Sequence, residues 1–337
     1  MDQKNQQWIY VKRPEGEVTE EHYNLRESEI RQPEDGEVVL EIDYWSVDPY
    51  IRIQQSQFNT WEEPHPLNTV QGCGTVGHVI ASNDDSLKVG DIVATYSGWQ
   101  THPTVKATAC RKLDPEQAPV STALGVLGMP GRTAFFGLLD AGKPVAGETV
   151  VVSGAAGAVG SLVCQIAKIK GCRVVGIAGS DDKCEFLKSK LGLDEAVNYR
   201  TNEGNMKEAL AAVCPNGIDV YFDNTGGPIT DAVFELIALR ARVVICGQIS
   251  QYSGGLDKPN LGPRFLHHIL YKRATIQGIL ARDYTPRMDE MLEQMSQWIK
   301  EGKIKYRETF MQGFANLPVA LNSLFHGKNT GKLIVKK

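Results

Sequence analysis

Two rhythms of apolar and polar positions run along this chain, and the change between them falls near residue 128. Ahead of it, short runs at 7–10, 37–42, 74–81 and 91–96 have strand character, separated by turn signals such as Glu34-Asp-Gly36 and Lys88-Val-Gly-Asp91. Pro14, Pro33, Pro49, Pro64, Pro66 and Pro103 mark loops. That close spacing predicts a compact, partly open barrel. A helix over 129–142 follows, with Pro130 at its start, Thr133 in its first turns and Gly142 at its end, and joins two domains. Beyond it strands alternate with helices. The strands are predicted at 149–153, 173–178, 196–198, 218–223, 242–247 and 275–279, with helices after the first two, at 181–190 for the second, and a closing helix at 284–300. This alternation is the signature of an α/β doubly wound parallel sheet. The tail returns to strand character at 310–314 and 332–335 around a helix at 317–325. The expected domains are therefore 1–128 with 306–337, and 129–305.

The stretch Glu148 to Lys168 organises the second domain. Its run Thr149 to Val152 suits a strand buried on both faces, and Leu162, Val163, Ile166 and Ala167 recur at helical spacing. Between them lies Ala155-Ala-Gly157-Ala-Val-Gly160, the dinucleotide fingerprint with its first glycine replaced by alanine. Gly157 lets backbone approach a pyrophosphate, Gly160 lets the helix lie close on the strand, and the helix start offers N–H groups to phosphate. A plain strand-to-helix turn packed with small residues is the competing reading. Ligands in such sheets bind at the carboxyl ends of the strands, which points to 155–160, 179–183, 224–227, 248–252 and 280–281. In the first domain Ser46-Val-Asp-Pro-Tyr-Ile-Arg52 predicts a turn or short helix carrying Tyr50 and Arg52, and Gln71-Gly-Cys-Gly-Thr-Val-Gly77 a glycine-rich strand start for tight packing.

Composition changes this picture little. Hydrophobic residues make up 42% and charged residues 23%, ordinary for a globular protein, and the net charge of −4 favours neither nucleic acid nor an anionic membrane. The polar start Met-Asp-Gln-Lys-Asn-Gln-Gln has no signal core, no run is long enough to span a bilayer, and a cytoplasmic location is expected. Seven cysteines without a Cys-x-x-Cys pair predict reduced thiols, and neither they nor the seven scattered histidines form a metal-ligand pattern.

With these residues in view the chain resembles the zinc-independent medium-chain dehydrogenase/reductases, and among them the NADPH-dependent double-bond reductases of the leukotriene B4 dehydrogenase, prostaglandin reductase and curcumin reductase group. The likeness spans nearly the whole chain. It is carried by Ser46-Val-Asp-Pro-Tyr50, Met129-Pro-Gly-Arg-Thr133, Ala155-Ala-Gly-Ala-Val-Gly160, Gly179-Ser-Asp-Asp-Lys183, Asn198-Tyr199, Tyr221-Phe-Asp-Asn-Thr-Gly-Gly227, Cys246-Gly-Gln-Ile-Ser-Gln-Tyr252 and Gly327-Lys-Asn-Thr-Gly-Lys332. The resemblance implies a Rossmann domain plus a GroES-like barrel domain, with NADPH lying in a cleft between them. By position it implies that Gly157, Ala158, Val159 and Gly160 hold the pyrophosphate and that Lys183 and Tyr199 lie at the adenosine phosphate. Asn224 and then Cys246, Gly247, Gln248, Ile249, Ser250, Gln251 and Tyr252 follow the cofactor toward the nicotinamide. Ile279, Leu280 and Ala281 line that ring, and Asn329 touches the cofactor. Tyr252 is placed near the substrate carbonyl, with Tyr50 and Arg52 as weaker substrate contacts. A homodimer is implied by the family alone. Zinc-dependent relatives carry a cysteine near position 46 and Gly-His-Glu near 71–73, where this chain has Ser46 and Gln71-Gly-Cys73, so no metal is expected. The loop 253–262 varies in such enzymes and leaves substrate size open.

The second strand ends Ile177-Ala-Gly-Ser180 without the carboxylate that would bind the ribose of NAD. Asp181 and Asp182 read instead as first-turn residues of the next helix, where acids suit the dipole. The expected reaction is conjugate reduction of an α,β-unsaturated ketone or aldehyde, with Tyr252 donating to the carbonyl oxygen. Quinone reduction, a prostaglandin-type alcohol oxidation and a non-catalytic cofactor-binding role are the alternatives.

Overall fold

The structure, a computed structural model, describes residues 3–57, 60–253 and 261–337. Seven residues of the variable loop, 254–260, lie outside the described residues. The backbone divides into two units. One comprises Met1–Gly125, Tyr252–Lys258 and Glu308–Lys337, and the other Val126–Gln251 and Pro259–Arg307.

The second unit holds a six-stranded parallel sheet of β1 (Thr149–Val152), β2 (Arg173–Ala178), β3 (Glu195–Asn198), β4 (Ile218–Asp223), β5 (Ile237–Ile245) and β6 (Thr275–Gly278), in the order β3-β2-β1-β4-β5-β6. This is the doubly wound Rossmann order, with its crevice where connections leave β1 and β4 in opposite directions. Every residue of β1 is buried, as its unbroken β-branched run requires. The helices are α1 (Met129–Phe136), α2 (Gly160–Ile169), α3 (Asp181–Leu191), α4 (Met206–Val213), α5 (Gly227–Phe234), α6 (Leu266–Lys272) and α7 (Met288–Lys300).

One helix type and two boundaries differ from expectation, each for a local reason. The α1 segment continues through 137–142 as a wider π-helical turn. A Cβ on Gly137 would meet Ile279 Cδ1 at 2.4 Å and the Phe222 ring at 2.9 Å, so only glycine lets this segment close on the sheet. β5 starts five residues earlier than the expected 242, because its pairing with β4 shifts register between Ile218 and Val220. α7 begins at Met288 rather than 284; Pro286, lacking an N–H, lies in a preceding 3-10 turn at Ala281–Arg287.

The first unit has a seven-stranded sheet in which Glu308–Gln312, Lys332–Lys336, Glu37–Ser46, Thr75–Ser82, Ile92–Thr95 and Arg111–Leu113 lie side by side, with Thr104–Lys106 also paired to Glu37–Ser46. All pairs are antiparallel except that between Glu308–Gln312 and Lys332–Lys336. Tyr23–Glu29, Lys4–Tyr10 and Thr69–Val70 form a separate three-stranded sheet. Trp8, Tyr10, Tyr23, Trp45 and Trp99 fill the core. Among the described residues no helix is long and apolar enough to cross a membrane. All seven cysteines are free thiols.

Two carboxylates clamp the parallel sheet to its surroundings. Asp194 takes both oxygens to Lys168 Nζ, at 2.9 and 3.1 Å, and accepts from the Val174 N–H at 2.7 Å. Glu148 receives the Arg242 guanidinium and the Val145 N–H. Burial pushes both acids upward, but these donors more than offset it and hold both carboxyls below their ordinary range. A depressed folded-state pKa means that the unfolded chain takes up protons first. The stability these groups contribute is therefore present above the unfolded pKa of about 4 and lost as pH falls below it. In denaturant titrations, Asp194→Asn is expected to weaken the fold at pH 7 and to differ much less from the parent near pH 3. An equal loss at both pH values would remove Asp194 from the acid response.

Candidate functional site

The turn after β1 is built by small residues. Gly154 has φ +59°, so the left-handed residue stands one position before the alanine that replaces the fingerprint's first glycine. Its carbonyl accepts from the Gly157 N–H at 3.0 Å, closing the turn. A Cβ on Gly160 would stand 2.4 Å from that same carbonyl and 2.9 Å from Ala155 Cα, so α2 starts in backbone contact with the turn. At Gly157 the Gly154 carbonyl, 3.2 Å away, is the one atom within 4 Å of where a Cβ would be. The space on that side is open to a ligand approaching the backbone, beside the first-turn N–H groups of α2.

After β2 the chain runs into Ser180, whose hydroxyl accepts from Lys183 N–H at 3.4 Å and caps α3. Asp181 and Asp182 occupy the first turn of that helix, and Asn198 Nδ2 donates to Asp181 Oδ1 at 2.7 Å. The Tyr199 ring lies over Gly179, where a Cβ would meet it at 2.9 Å. The Arg200 guanidinium stands 5.9 Å from the centroid of the same ring. Burial lowers the Lys183 ammonium pKa, and the charge of Arg200 lowers it further. Lys183, Arg200, Tyr199 and Ser180 thus gather at the end of β2, with Asp181 and Asp182 in the helix turn that follows. Arg200 is the residue that motif reading passed over; it directly follows the Asn198-Tyr199 motif.

The ends of β1, β4 and β5 are tied through Asp223, which is fully buried. Its Oδ1 accepts from Ser153 Oγ at 3.0 Å and from the Tyr221 hydroxyl, Thr225 N–H and Gly226 N–H at 2.9 Å each; Oδ2 accepts from Thr230 Oγ1 at 2.8 Å. Its carbonyl accepts from the Cys246 and Gly247 N–H groups at 2.9 and 3.1 Å. Asn224 Nδ2 donates to the Ser153 carbonyl at 2.7 Å, and the Ile249 N–H donates to the Asn224 carbonyl at 3.2 Å. Gln251 N–H donates to the Gln248 carbonyl, and Ser250 Oγ to Thr225. The structure thereby brings Asn224 together with Cys246 to Gln251 in one hydrogen-bonded corner. Burial, with the Asp223 charge, pushes the Cys246 thiol up to about 12. Ile279 belongs to the same end of the sheet, its N–H donating to the Ile245 carbonyl at 3.1 Å, with Leu280 and Ala281 next in the chain.

The remaining candidates lie in the first unit. Tyr252 is 7% exposed and follows directly on Gln251. Asn329 donates to the Gly331 carbonyl at 2.9 Å. Tyr50 opens a short helix, Tyr50–Gln54, and hydrogen-bonds Tyr96; burial raises its phenol well above the ordinary range, and the charge of Asp48 adds to this. Arg52 departs from the expected substrate-facing placement. It is 1% exposed and donates to the Gly16 and Pro14 carbonyls at 3.3 and 3.0 Å, so its guanidinium serves the chain's own backbone. An open cavity of about 490 Å³ on this unit is lined by Lys4, Glu41, Trp45, His102 and Phe314 among others, and includes none of the residues singled out in the sequence.

Residues 6–113 match the family described as the N-terminal domain of oxidoreductase, and residues 158–301 match zinc-binding dehydrogenase. An NADPH-dependent curcumin reductase of Escherichia coli (strain K12) is 40% identical, over 99% of this chain and 97% of its own. Prostaglandin reductase 1 of Rattus norvegicus is also 40% identical, over 98% of each chain. The crystal structure of CurA in complex with NADPH from Vibrio vulnificus superposes with a TM-score of 0.93 at 43% identity, covering 98% of this chain and 99% of that one. The zinc in the second family description does not suit the residues at the compared positions. The Ser46 hydroxyl donates to Asp48, Asp48 is bound by Lys332, and among the described residues no group of three or more His, Cys, Asp or Glu side chains is placed to hold a metal ion.

Asp223 generates a direct test. Asp223→Ala leaves five donors without their acceptor, and hydrogen bonds to a charged group contribute about 1.5–3 kcal/mol each, with strong overlap between them. A loss of roughly 3 kcal/mol or more, near 10 °C in melting temperature, is expected, with a smaller loss for Asp223→Asn. Unchanged thermal melts for both variants would show that the corner does not depend on this carboxylate.

Proposed function

This chain belongs to the medium-chain dehydrogenase/reductase family, in the group of the curcumin and prostaglandin reductases, and we propose that it reduces the carbon–carbon double bond of α,β-unsaturated ketones and aldehydes with NADPH. The observation that carries this reading is the likeness to reductases of that kind over essentially the whole chain. The site chemistry supports it. The strand end without a carboxylate, with Lys183 and Arg200 beside Tyr199, suits the 2′-phosphate that distinguishes NADPH from NADH. Residues 157–160 give a pyrophosphate open backbone and a helix start.

NADPH, when bound, supplies the hydride for the β-carbon. The protein's part is to bind, orient and stabilise. Asn224 and residues 246–251, held by Asp223, shape the way to the nicotinamide end, with Ile279, Leu280 and Ala281 as its apolar lining and Asn329 as a further contact. Tyr252 donates a hydrogen bond to the substrate carbonyl oxygen as enolate charge develops there, the kind of preorganised donor whose removal costs about 3–4 kcal/mol. Tyr50 contacts the substrate. The barrel unit serves as the substrate domain, and the cytoplasm is the setting.

A homodimer belongs to the same proposal. β6 ends the sheet with all four residues exposed, and α6 presents Leu266, Leu270 and Tyr271, each about 70% exposed. An open strand edge beside apolar side chains calls for a cover, and a second copy supplies the same edge in return. Sedimentation velocity is expected to show a dimer that Leu270→Lys splits; a monomeric parent would end this part of the reading.

The function is tested by following NADPH consumption with an enone or a quinone, and NADPH formation from an alcohol with NADP⁺. Turnover of the enone alone is expected, and turnover of the quinone alone would replace the proposal with a quinone reductase. Lys183→Ala should raise KM for NADPH about 10- to 150-fold while leaving NADH nearly unaffected, since a charge-assisted bond to phosphate contributes about 1.5–3 kcal/mol. Equal losses for both cofactors would assign Lys183 to the fold. Tyr252→Phe should lower kcat/KM roughly 10- to 1,000-fold with little change in NADPH affinity. A rate equal to the parent's would reduce Tyr252 to packing.

A further inference from the structure

A buried ion pair in the first unit has no part in the chemistry above. Lys332, 3% exposed, donates from Nζ to Asp48 Oδ1 at 2.9 Å and to the Val47 carbonyl at 2.6 Å. Asp48 is 4% exposed and takes the Ser46 hydroxyl on its other oxygen. The Cys73 thiol feels the charges of both partners. Glu308 lies directly across from Lys332 in the sheet and accepts from Ser121 Oγ at 2.8 Å. One ammonium from the C-terminal strand thus grips the turn 46–50 at a side chain and a carbonyl. The Asp48 carbonyl then accepts from the Ile51 N–H at 3.2 Å, at the start of the helix Tyr50–Gln54. Tyr50 meets Tyr96, whose hydroxyl lies so close over Gly72 that a Cβ there would stand 2.7 Å away.

Burying two charges is costly, and a well-packed apolar replacement is often as stable or more so. Stability is therefore a poor reason for the pair, and geometry a better one. The ammonium adds a side-chain grip to a turn otherwise tied by its backbone, by Ser46 and by the Tyr50–Tyr96 contact, and Pro49, with its fixed φ, joins Asp48 to the helix that Tyr50 opens.

We infer that Lys332 and Asp48 act as positioning residues: an internal cation–carboxylate clamp that fixes the Ser46–Tyr50 turn and so sets the Tyr50 phenol against Tyr96 for substrate. The last step rests on the reading of Tyr50 as a substrate contact; the clamp itself does not.

Lys332→Met alone strands a buried carboxylate and is expected to fold poorly, so the informative protein is the double variant Lys332→Met/Asp48→Asn. It should melt close to the parent and bind NADPH equally well. Hydrogen exchange of the backbone amides in 46–54 should quicken about tenfold or more while the rest of the first unit keeps its protection. KM for the enone should rise about tenfold, an effect that Tyr50→Phe reproduces in part. Parent-like exchange in 46–54 would overturn the clamp. Faster exchange with an unchanged KM would overturn its link to substrate. Should the parent not reduce enones at all, the functional reading fails, and the exchange result alone still decides whether the clamp exists.

Discussion

One buried carboxylate keeps the ligand-facing end of the parallel sheet in shape. Parallel strands end in loops with no pairing of their own, and here three such ends must agree: those of β1, β4 and β5. Asp223 meets this constraint by accepting from Ser153 on the first, Tyr221, Thr225, Gly226 and Thr230 on the second, and, through its carbonyl, Cys246 and Gly247 on the third. A buried charge with that many donors is stable only while all are in place, which makes the arrangement cooperative rather than additive. Asn224 and the turn from Gln248 to Gln251 inherit their positions from it.

Cations are disposed in two contrasting ways. In the barrel unit the Lys332 ammonium is enclosed and answered by Asp48. In the Rossmann unit Lys183 and Arg200 are placed near enough for one to depress the pKa of the other, at a strand end where Asp181 is already engaged by Asn198. The first arrangement consumes its charge internally and spends it on geometry. The second groups two cations at one strand end, and the proposed site for NADPH rests on that grouping.

Local chemistry alone determined much of this protein. The apolar run at 149–152, the small residues of 154–160 and the periodic apolar face of the following helix specify strand, turn and helix without reference to distant residues. Asp181 and Asp182 are legible as helix-start residues because a serine cap and the helix dipole act within one turn. The alternating pattern conveys the doubly wound sheet because each β-α step is a local signal repeated. The resemblance, rather than local chemistry, points to residues 157–160, Lys183, Tyr199 and 246–252 as cofactor contacts.

What only the tertiary structure decided depends on partners far apart in the chain. Tyr23–Glu29 is a strand whose residues beyond Tyr23 are mostly exposed, so its side chains carry little apolar signal; pairing with Lys4–Tyr10 makes it one. Arg52 looks like a surface contact in sequence, and becomes a buried brace only because Pro14 and Gly16 bring carbonyls to it. The left-handed residue of the glycine turn moved to Gly154 because α2 must start against that carbonyl. Asp223 and Asp48 read alike as polar residues near turns, yet one gathers hydroxyls and amides while the other meets a lysine 284 positions away. A buried charge is defined by which donors surround it, and that company is set by how the sheets fold together, on which the neighbouring letters of the chain are silent.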